Sequence, residues 1–291
     1  MTTPFAWDPN ANQTYMSNYG SQTLQGEGRT FDKLYNRSFT MSAPGCTLTL
    51  KGDRNIPDNE VAWPRAVSSG DDITHILVQQ GTLKLMDIGK ANLGYLDNAG
   101  DTIVRHLDLE VASQLTVDAS LVYFGQMQVT EVGKPQPQIS IYNNGIFNVN
   151  AEAEIWFTSG TMLARDNASV TMSSIIISAQ RNENLWGCKD VPPVFRLSAG
   201  TPSFTFKRAK SDVLVFDFLT RTYEKGLFYF DTQQGINRGK FIIEGIGNTF
   251  QYNALVNKGL VSIDGNTDLN YVDSRLKQSN YVNGNLVLEL K

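Results

Sequence analysis

The stretch that decides the fold is Ile139–Ala179, which reads ISIYNNGIFNVNAEAEIWFTSGTMLARDNASVTMSSIIISA. Apolar side chains occupy every second position through its middle, at Phe147, Val149, Ala151, Ala153, Ile155 and Phe157. A two-residue period puts alternate side chains on opposite faces of a strand, so these residues are expected to share one face. Val170 and Met172 resume the pattern after a corner that contains Gly and Asn. The stretch therefore predicts strands that stack and bury these rows together.

The same arrangement recurs along the chain from about Thr47 onward. A glycine stands at a corner and a short alternating run follows, as in Gly81 before Leu83 and Leu85, Gly125 before Met127 and Val129, Gly145 before Phe147 and Val149, Gly226 before Phe228 and Phe230, Gly259 before Val261 and Ile263, and Gly284 before Leu286, Leu288 and Leu290. The uneven spacings bracket the repeat lengths of solenoids. They predict an all-β parallel β-helix (β-solenoid) with irregular coils.

The alternative architecture is a pair of β-sandwiches. In a sandwich, neighbouring strands run antiparallel and are joined by hairpins whose turns favour Asn-Gly or Asp-Gly. Asn144-Gly145 and Asp264-Gly265 are such dipeptides. Two hairpin signals are few for so many strands, so the solenoid is the favoured prediction.

The first part of the chain departs from the repeated pattern. Residues 1–45 are rich in Asn, Gln, Thr and aromatics, including Pro4, Trp7, Tyr15 and Tyr19. An open solenoid end presents unpaired strand edges, which a capping segment covers. We therefore expect an N-terminal cap or arm at residues 1–45 and a solenoid domain at residues 46–291.

The segment Ile139–Ala179, together with NKGLVSIDGN at Asn257–Asn266, resembles the passenger β-helices of autotransporter adhesins and the coils of phage tail-spikes. The resemblance implies a bacterial or phage surface protein that attaches to a partner. Tail-spike-like solenoids associate into trimers and passenger-like ones stay monomeric, so a homo-oligomer is left open. Residues 1–20 lack a positively charged region followed by an apolar run, and the sequence shows no membrane-barrel strands. We therefore expect a stand-alone solenoid that is cytoplasmic, exported by a non-classical route, or part of a phage or surface assembly.

Composition excludes some function classes. The net charge is −4, so the chain lacks the clustered positive charge on which nucleic-acid binding depends. No stretch approaches the roughly 18 apolar residues that span a bilayer. Two cysteines, Cys46 and Cys188, do not form a disulfide framework; two buried thiols are favoured over one bridge.

Motifs for cofactors and metals fail on inspection. Gly26-Glu27-Gly28 lacks the third glycine of a dinucleotide fingerprint. Asp264, Asn266 and Asp268 imitate the start of a calcium loop, but its sixth and twelfth positions are Leu269 and Arg275 instead of Gly and Glu. We therefore expect no cofactor and no metal.

The catalytic candidates are His106, Asp108 and Glu110, which alternate and would share one strand face. A His beside two carboxylates can serve general acid and base chemistry. The more economical interpretation is that these polar residues face water while Leu107, Leu109 and Val111 form the buried row.

The binding candidates are aromatic and charged residues. Trp186 lies in a loop with Pro192 and Pro193, and loops on rigid scaffolds often carry binding residues. Arg221, Tyr223 and Tyr229 belong to an aromatic cluster in which Phe228 and Phe230 would face one way and Tyr229 the other. Exposed aromatics beside charge suit sugar stacking or a protein interface, whereas a stacked aromatic core explains the same residues without a ligand.

Two functions remain after these exclusions. The first is a non-enzymatic binding or structural module, an adhesin-like solenoid that presents one face to a glycan or protein. The second is a polysaccharide lyase or glycoside hydrolase of β-helix type that acts through His106, Asp108 and Glu110. Absence of a recognisable catalytic set favours the first.

Overall fold

The chain is mostly β, as the two-residue period predicted. The structure is a computed structural model that describes residues 4–34, 36–56, 58–65, 73–94, 107–125, 139–180, 192–210, 214–218, 220–246, 249–277 and 284–291. Its strands belong to one large, mostly parallel hydrogen-bonded network.

Eighteen strands and two short α-helices lie within these ranges. The strands are β1 Gln13–Met16, β2 Gln22–Gln25, β3 Ser38–Lys51, β4 Glu60–Trp63, β5 Thr74–Leu93, β6 Leu107–Val111, β7 Gln114–Phe124, β8 Ile139–Ile141, β9 Ile146–Phe157, β10 Thr161–Asp166, β11 Ser169–Ser174, β12 Ile176–Ser178, β13 Val194–Gly200, β14 Ser203–Arg208, β15 Phe228–Phe230, β16 Lys240–Glu244, β17 Val261–Ile263 and β18 Asn285–Glu289. The helices are α1 Thr249–Asn257 and α2 Leu269–Arg275, and a 3-10 turn spans Ser17–Tyr19. No helix in the described ranges is long and apolar enough to cross a membrane.

The strands form three parallel ladders, each made of residues that pair directly across neighbouring strands. The first ladder runs through Phe39, Ile76, Leu109, Ile139, Met162, Phe195, Phe228 and Val261. The second ladder runs through Leu24, Leu50, Leu85, Val117, Val149, Met172, Phe206 and Ile243. The third ladder runs through Val61, Ala91, Val122, Ile155 and Ile177. Long strands such as β5 contribute to all three ladders.

Parallel pairing contradicts the antiparallel arrangement that paired sandwiches require. Among the described strands, only β16 and β18 pair antiparallel. Asn144-Gly145 makes no hairpin, because it turns the chain from β8 to β9, and each of these strands pairs in parallel with others. The space for a Cβ at Gly145 is filled by the Val111 carbonyl oxygen at 2.2 Å, so this glycine serves a tight corner.

The inward residues of all three ladders meet in one apolar core. Every apolar residue in the predicted row from Phe147 to Phe157 is buried except Ala153. Ala153 is exposed because Glu152 and Ala153 form a corner between the second and third ladders, which interrupts the alternation. Full burial of a Leu, Ile or Phe side chain stabilises the fold by about 1.5–3 kcal/mol, so this core supplies the main driving force.

The N-terminal residues take part in the sheet. Strands β1 and β2 both pair with β3, and β3 runs through the expected domain boundary at residue 45. Phe5 packs on Tyr15 at 5.0 Å between ring centroids, and Trp7 packs on Phe39 at 4.8 Å. The segment around Phe5 and Trp7 therefore packs against the core.

Two charged residues are buried beneath this segment. The Asp32 Oδ1 atom accepts a hydrogen bond from the Ala62 backbone at 2.8 Å, while Oδ2 has no hydrogen bond and lies 3.6 Å from Arg65 Nε. Burial raises the Asp32 pKa to about 6. The Lys33 Nζ atom donates to the Asp8 carbonyl at 2.7 Å, and burial lowers its pKa to about 8.

Candidate functional site

Two of the three proposed catalytic residues, Asp108 and Glu110, lie on the outer side of β6. Asp108 and Glu110 are partly exposed, while the alternate positions Leu107, Leu109 and Val111 are buried. His106 lies outside the residues that the structure describes. The histidine next to Asp108 is His75, whose Nδ1 atom lies 3.2 Å from Asp108 Oδ2. The Tyr142 hydroxyl donates a hydrogen bond to Glu110 at 2.9 Å.

Both carboxylates are therefore engaged by a neighbouring side chain. Burial and the adjacent Glu110 raise the Tyr142 pKa to about 12, so this phenol stays protonated and remains a donor at neutral pH. The Arg165 guanidinium lies 5.3 Å from the centre of the Tyr142 ring. These contacts fit a polar surface network, which is the economical interpretation of the sequence pattern.

The three predicted binding residues that the structure describes, Arg221, Tyr223 and Tyr229, do not form one patch. Trp186 lies outside the described ranges. Tyr223 is only 6% exposed, packs against Phe218 at 5.1 Å between ring centroids, and accepts a hydrogen bond from the Asp217 backbone at 3.2 Å. Burial raises its pKa to about 12. Its ring therefore belongs to the core instead of the surface, because the segment around Tyr223 is not a strand and does not alternate.

Tyr229 faces outward from β15, between the buried Phe228 and Phe230, as the alternation predicted. The Arg196 guanidinium lies 5.2 Å from the centre of the Tyr229 ring and donates to Asp231 at 2.7 Å. Burial raises the pKa of the Tyr229 phenol. Tyr229 thus lies on the outer side of the first ladder.

Arg221 lies on the outer side of the third ladder instead. Its Nη1 atom donates to the Ser178 hydroxyl at 2.6 Å and lies 3.7 Å from Glu154 Oε1. The Ser178 hydroxyl also donates to Glu154. Arg221 therefore pairs with residues of β9 and β12.

Next to this network, two aromatic rings lie side by side on the surface. Tyr123 of β7 and Trp156 of β9 pair in register, and their ring centroids are 5.4 Å apart with the planes tilted by 51°. Both are partly exposed, whereas the residues on either side of each, Val122, Phe124, Ile155 and Phe157, are buried. The Lys90 Nζ atom lies 4.9 Å from the centre of the Tyr123 ring. We call Lys90, Tyr123, Glu154, Trp156 and Arg221 the aromatic strip.

A buried amide lies at the margin of the aromatic strip. Asn92 pairs in register with Tyr123, is 6% exposed, and has a side-chain oxygen without a hydrogen bond. A buried acceptor without a partner costs about 1–3 kcal/mol, so this amide lowers the stability of the fold beside the strip.

The sequence held part of the signal for these rings. Trp156 lies between Ile155 and Phe157 of the inward row, so the alternation already placed it outward. The alternation could not predict that Tyr123 lies beside Trp156. Tyr123 is far away in sequence and contacts Trp156 only because of the register of β7 and β9.

Comparisons with protein-family models, curated proteins and solved structures found no match. Within the described residues, no group of three or more His, Cys, Asp or Glu side chains is placed to hold a metal ion.

Proposed function

We propose that this chain is a β-solenoid that serves as a non-enzymatic, adhesin-like binding module and presents the aromatic strip to a glycan. Three parallel ladders that share one apolar core support the solenoid. The resemblance of Ile139–Ala179 to autotransporter passengers and tail-spike coils supports a place on a bacterial or phage surface. If several copies of the chain associate side by side, the assembly presents one aromatic strip per copy. Light scattering measures the number of copies.

The observation that carries the proposal is the in-register pair of Tyr123 and Trp156. Partly exposed aromatic rings offer an apolar face to the C–H side of a sugar ring and combine a large contact area with little conformational freedom. Lys90 and Arg221 supply donors and Glu154 supplies acceptors, which are the groups that sugar hydroxyls need.

The size of the aromatic strip favours a glycan over a protein partner. A stable protein interface buries about 1,200–2,000 Å² in total, with a well-packed apolar centre. Two neighbouring rings flanked by charged side chains offer a smaller apolar contact area than a stable protein interface needs.

Glycan-array binding followed by calorimetry tests this function. Trp156→Ala should weaken binding of the selected glycan about 30-fold, since loss of a central aromatic contact typically costs about 2 kcal/mol. The matched control is Tyr229→Ala, which removes a partly exposed aromatic from the first ladder and should leave affinity unchanged. The proposal is contradicted if the wild type binds no glycan, or if Trp156→Ala leaves the affinity for every bound glycan unchanged.

The alternative function is a polysaccharide lyase or glycoside hydrolase. The observation in its favour is that Asp108 and Glu110 share the outer side of β6, with His75 beside Asp108. Assays of reducing sugar and of unsaturated product on acidic polysaccharides test it. Product formation by the wild type that is lost in Asp108→Ala would favour the enzyme, whereas no product from either protein favours the binding module.

A further inference from the structure

A cleft lies at the corner where the first ladder passes into the second. Its volume is about 530 Å³, and its lining includes Cys46, Gln79, Gln80, Gln114, Asn144 and Ile146. This volume falls in the range of small-molecule sites, about 300–1,000 Å³. The cleft is therefore large enough to hold an organic ligand.

Local backbone features build the cleft. The pairing of β3 with β5 shifts by one residue between Val78 and Gln80, and both Gln79 and Gln80 are exposed as a result. Gly81 follows with φ 87°, and the space for a Cβ there is filled by the Ala43 carbonyl oxygen at 2.3 Å. Only glycine fits this corner, so the two glutamine side chains are held at the cleft's edge.

The lining of the cleft is uncharged and mixes apolar with polar surface. None of the described residues that line the cleft is acidic or basic; amides and hydroxyls lie beside a somewhat larger apolar surface, which includes Ile146 at 40% exposed. Amide groups both donate and accept hydrogen bonds, as sugar hydroxyls do. An anionic ligand would find no cation to pair with its charge.

The strands behind the cleft also exclude an extended peptide as the ligand. Peptides commonly bind sheet proteins by adding a strand to an open edge. Here β5 pairs with β3 on one side and with β6 and β7 on the other, and β7 pairs with β5 and β9. Their backbone groups are already used, so recognition falls to side chains.

We propose that this corner cleft is a second binding site, which takes an uncharged oligosaccharide. Positions Thr47, Thr82, Gln114 and Ile146 pair in register on four successive strands along it. Strands lie about 4.8 Å apart, so these positions extend over roughly 14 Å and fit several linked sugar units. The proposal is independent of the aromatic strip, because it rests on residues of the first and second ladders.

Cys46 provides the readout, because its thiol is free, half-buried and part of the lining. In a Cys188→Ser protein, we would measure alkylation of Cys46 by iodoacetamide with and without neutral tetrasaccharides of glucose, mannose, galactose or N-acetylglucosamine. At least one should slow alkylation about fivefold or more, and a galacturonate tetrasaccharide should not. Calorimetry with the same sugars gives the affinity directly, whatever the intrinsic reactivity of the thiol.

Two variants separate this site from the aromatic strip. Gln80→Ala combined with Gln114→Ala should abolish protection and calorimetric binding while the melting temperature stays within about 2 °C of the parent, since both side chains are at the surface. Trp156→Ala should keep both the protection of Cys46 from alkylation and the calorimetric binding. The proposal is overturned if no neutral tetrasaccharide binds, if the double variant binds as well as the parent, or if Trp156→Ala removes the binding.

Discussion

The corner cleft and the aromatic strip share three strands, β5, β7 and β9, yet their surfaces differ in chemistry. The inward residues beneath the two surfaces are equally buried. Fully buried side chains lie under the cleft, at Leu83 and Leu115, and under the strip, at Leu93 and Phe124. Outward residues at the cleft are uncharged, whereas those at the strip are aromatic and charged. The inward half of the alternation therefore builds the core, and the outward half decides what each surface can bind.

Arg54 separates the two surfaces at the turn from the second ladder to the third. Its Nε atom lies 2.8 Å from Asp87, its Nη1 atom lies 2.5 Å from Glu152, and its Nη2 atom contacts Asp118. These carboxylates come from β5, β7 and β9, so one guanidinium joins three successive strands. The contact with Arg54 lowers the Asp87 pKa.

The largest effect should come from the shared inward side. Leu115→Ala should lower the free energy of unfolding by about 2–5 kcal/mol, because it leaves a cavity in the common core. Gln114 is the outward neighbour of Leu115, and Gln114→Ala should change the free energy of unfolding by no more than about 0.5 kcal/mol. Urea unfolding of both variants checks this, and equal losses would refute the division into inward and outward roles.

A second effect concerns the buried Asp32, which accepts a hydrogen bond from Ala62 at the start of the third ladder. Because its folded pKa is raised to about 6, the folded state holds more protons than the unfolded chain between about pH 4 and pH 6, so stability from this group falls as pH rises through that window. Asp32→Asn should therefore be more stable than wild type at pH 7.5, by on the order of 2–3 kcal/mol, and equal to it near pH 4.

Thermal and urea unfolding across pH 4 to 8 measure this difference. Glu27→Gln, an exposed carboxylate in the same region, is the control and should follow the wild type. A constant offset between Asp32→Asn and wild type at every pH would show that the side chain acts through packing and not through its charge.

The smallest of the three changes in the free energy of unfolding should come from Arg54, which lies between the two surfaces. Arg54→Ala leaves Asp87, Asp118 and Glu152 close together without their cation, which should cost about 1–2 kcal/mol at neutral pH, since the carboxylates are partly exposed. In the wild type, the lowered Asp87 pKa adds stability above its usual pKa that is lost as pH falls; the variant lacks this term.

High salt should shrink the Arg54→Ala penalty, because it screens repulsion among the carboxylates. Arg238→Ala, at an exposed arginine, serves as the control. A penalty that is the same in low and high salt would mean that Arg54 acts mainly through the packing of its aliphatic stem.

The sequence predicted the all-β class and the inward residues well, because two-residue alternation reports directly which side of a strand is buried. Leu83, Phe147 and Phe228 all lie in the core as expected. It failed at corners and irregular segments, where alternation loses its meaning: Ala153 is exposed at a corner, and Tyr223 is buried in a segment that is not a strand. The contact between Tyr123 and Trp156 depends on strand register, which alternation within one segment does not contain.

The central claim is that outward positions on successive strands stack in register, and disulfide cross-linking tests it most directly. In a Cys46→Ser, Cys188→Ser background, Thr116→Cys and Asn148→Cys should form a disulfide readily, because these positions pair directly on β7 and β9. Thr116→Cys with Asn150→Cys, offset by two residues to roughly 8 Å, should cross-link poorly. Equal cross-linking of both pairs, or preference for the offset pair, would contradict the register on which both surfaces depend.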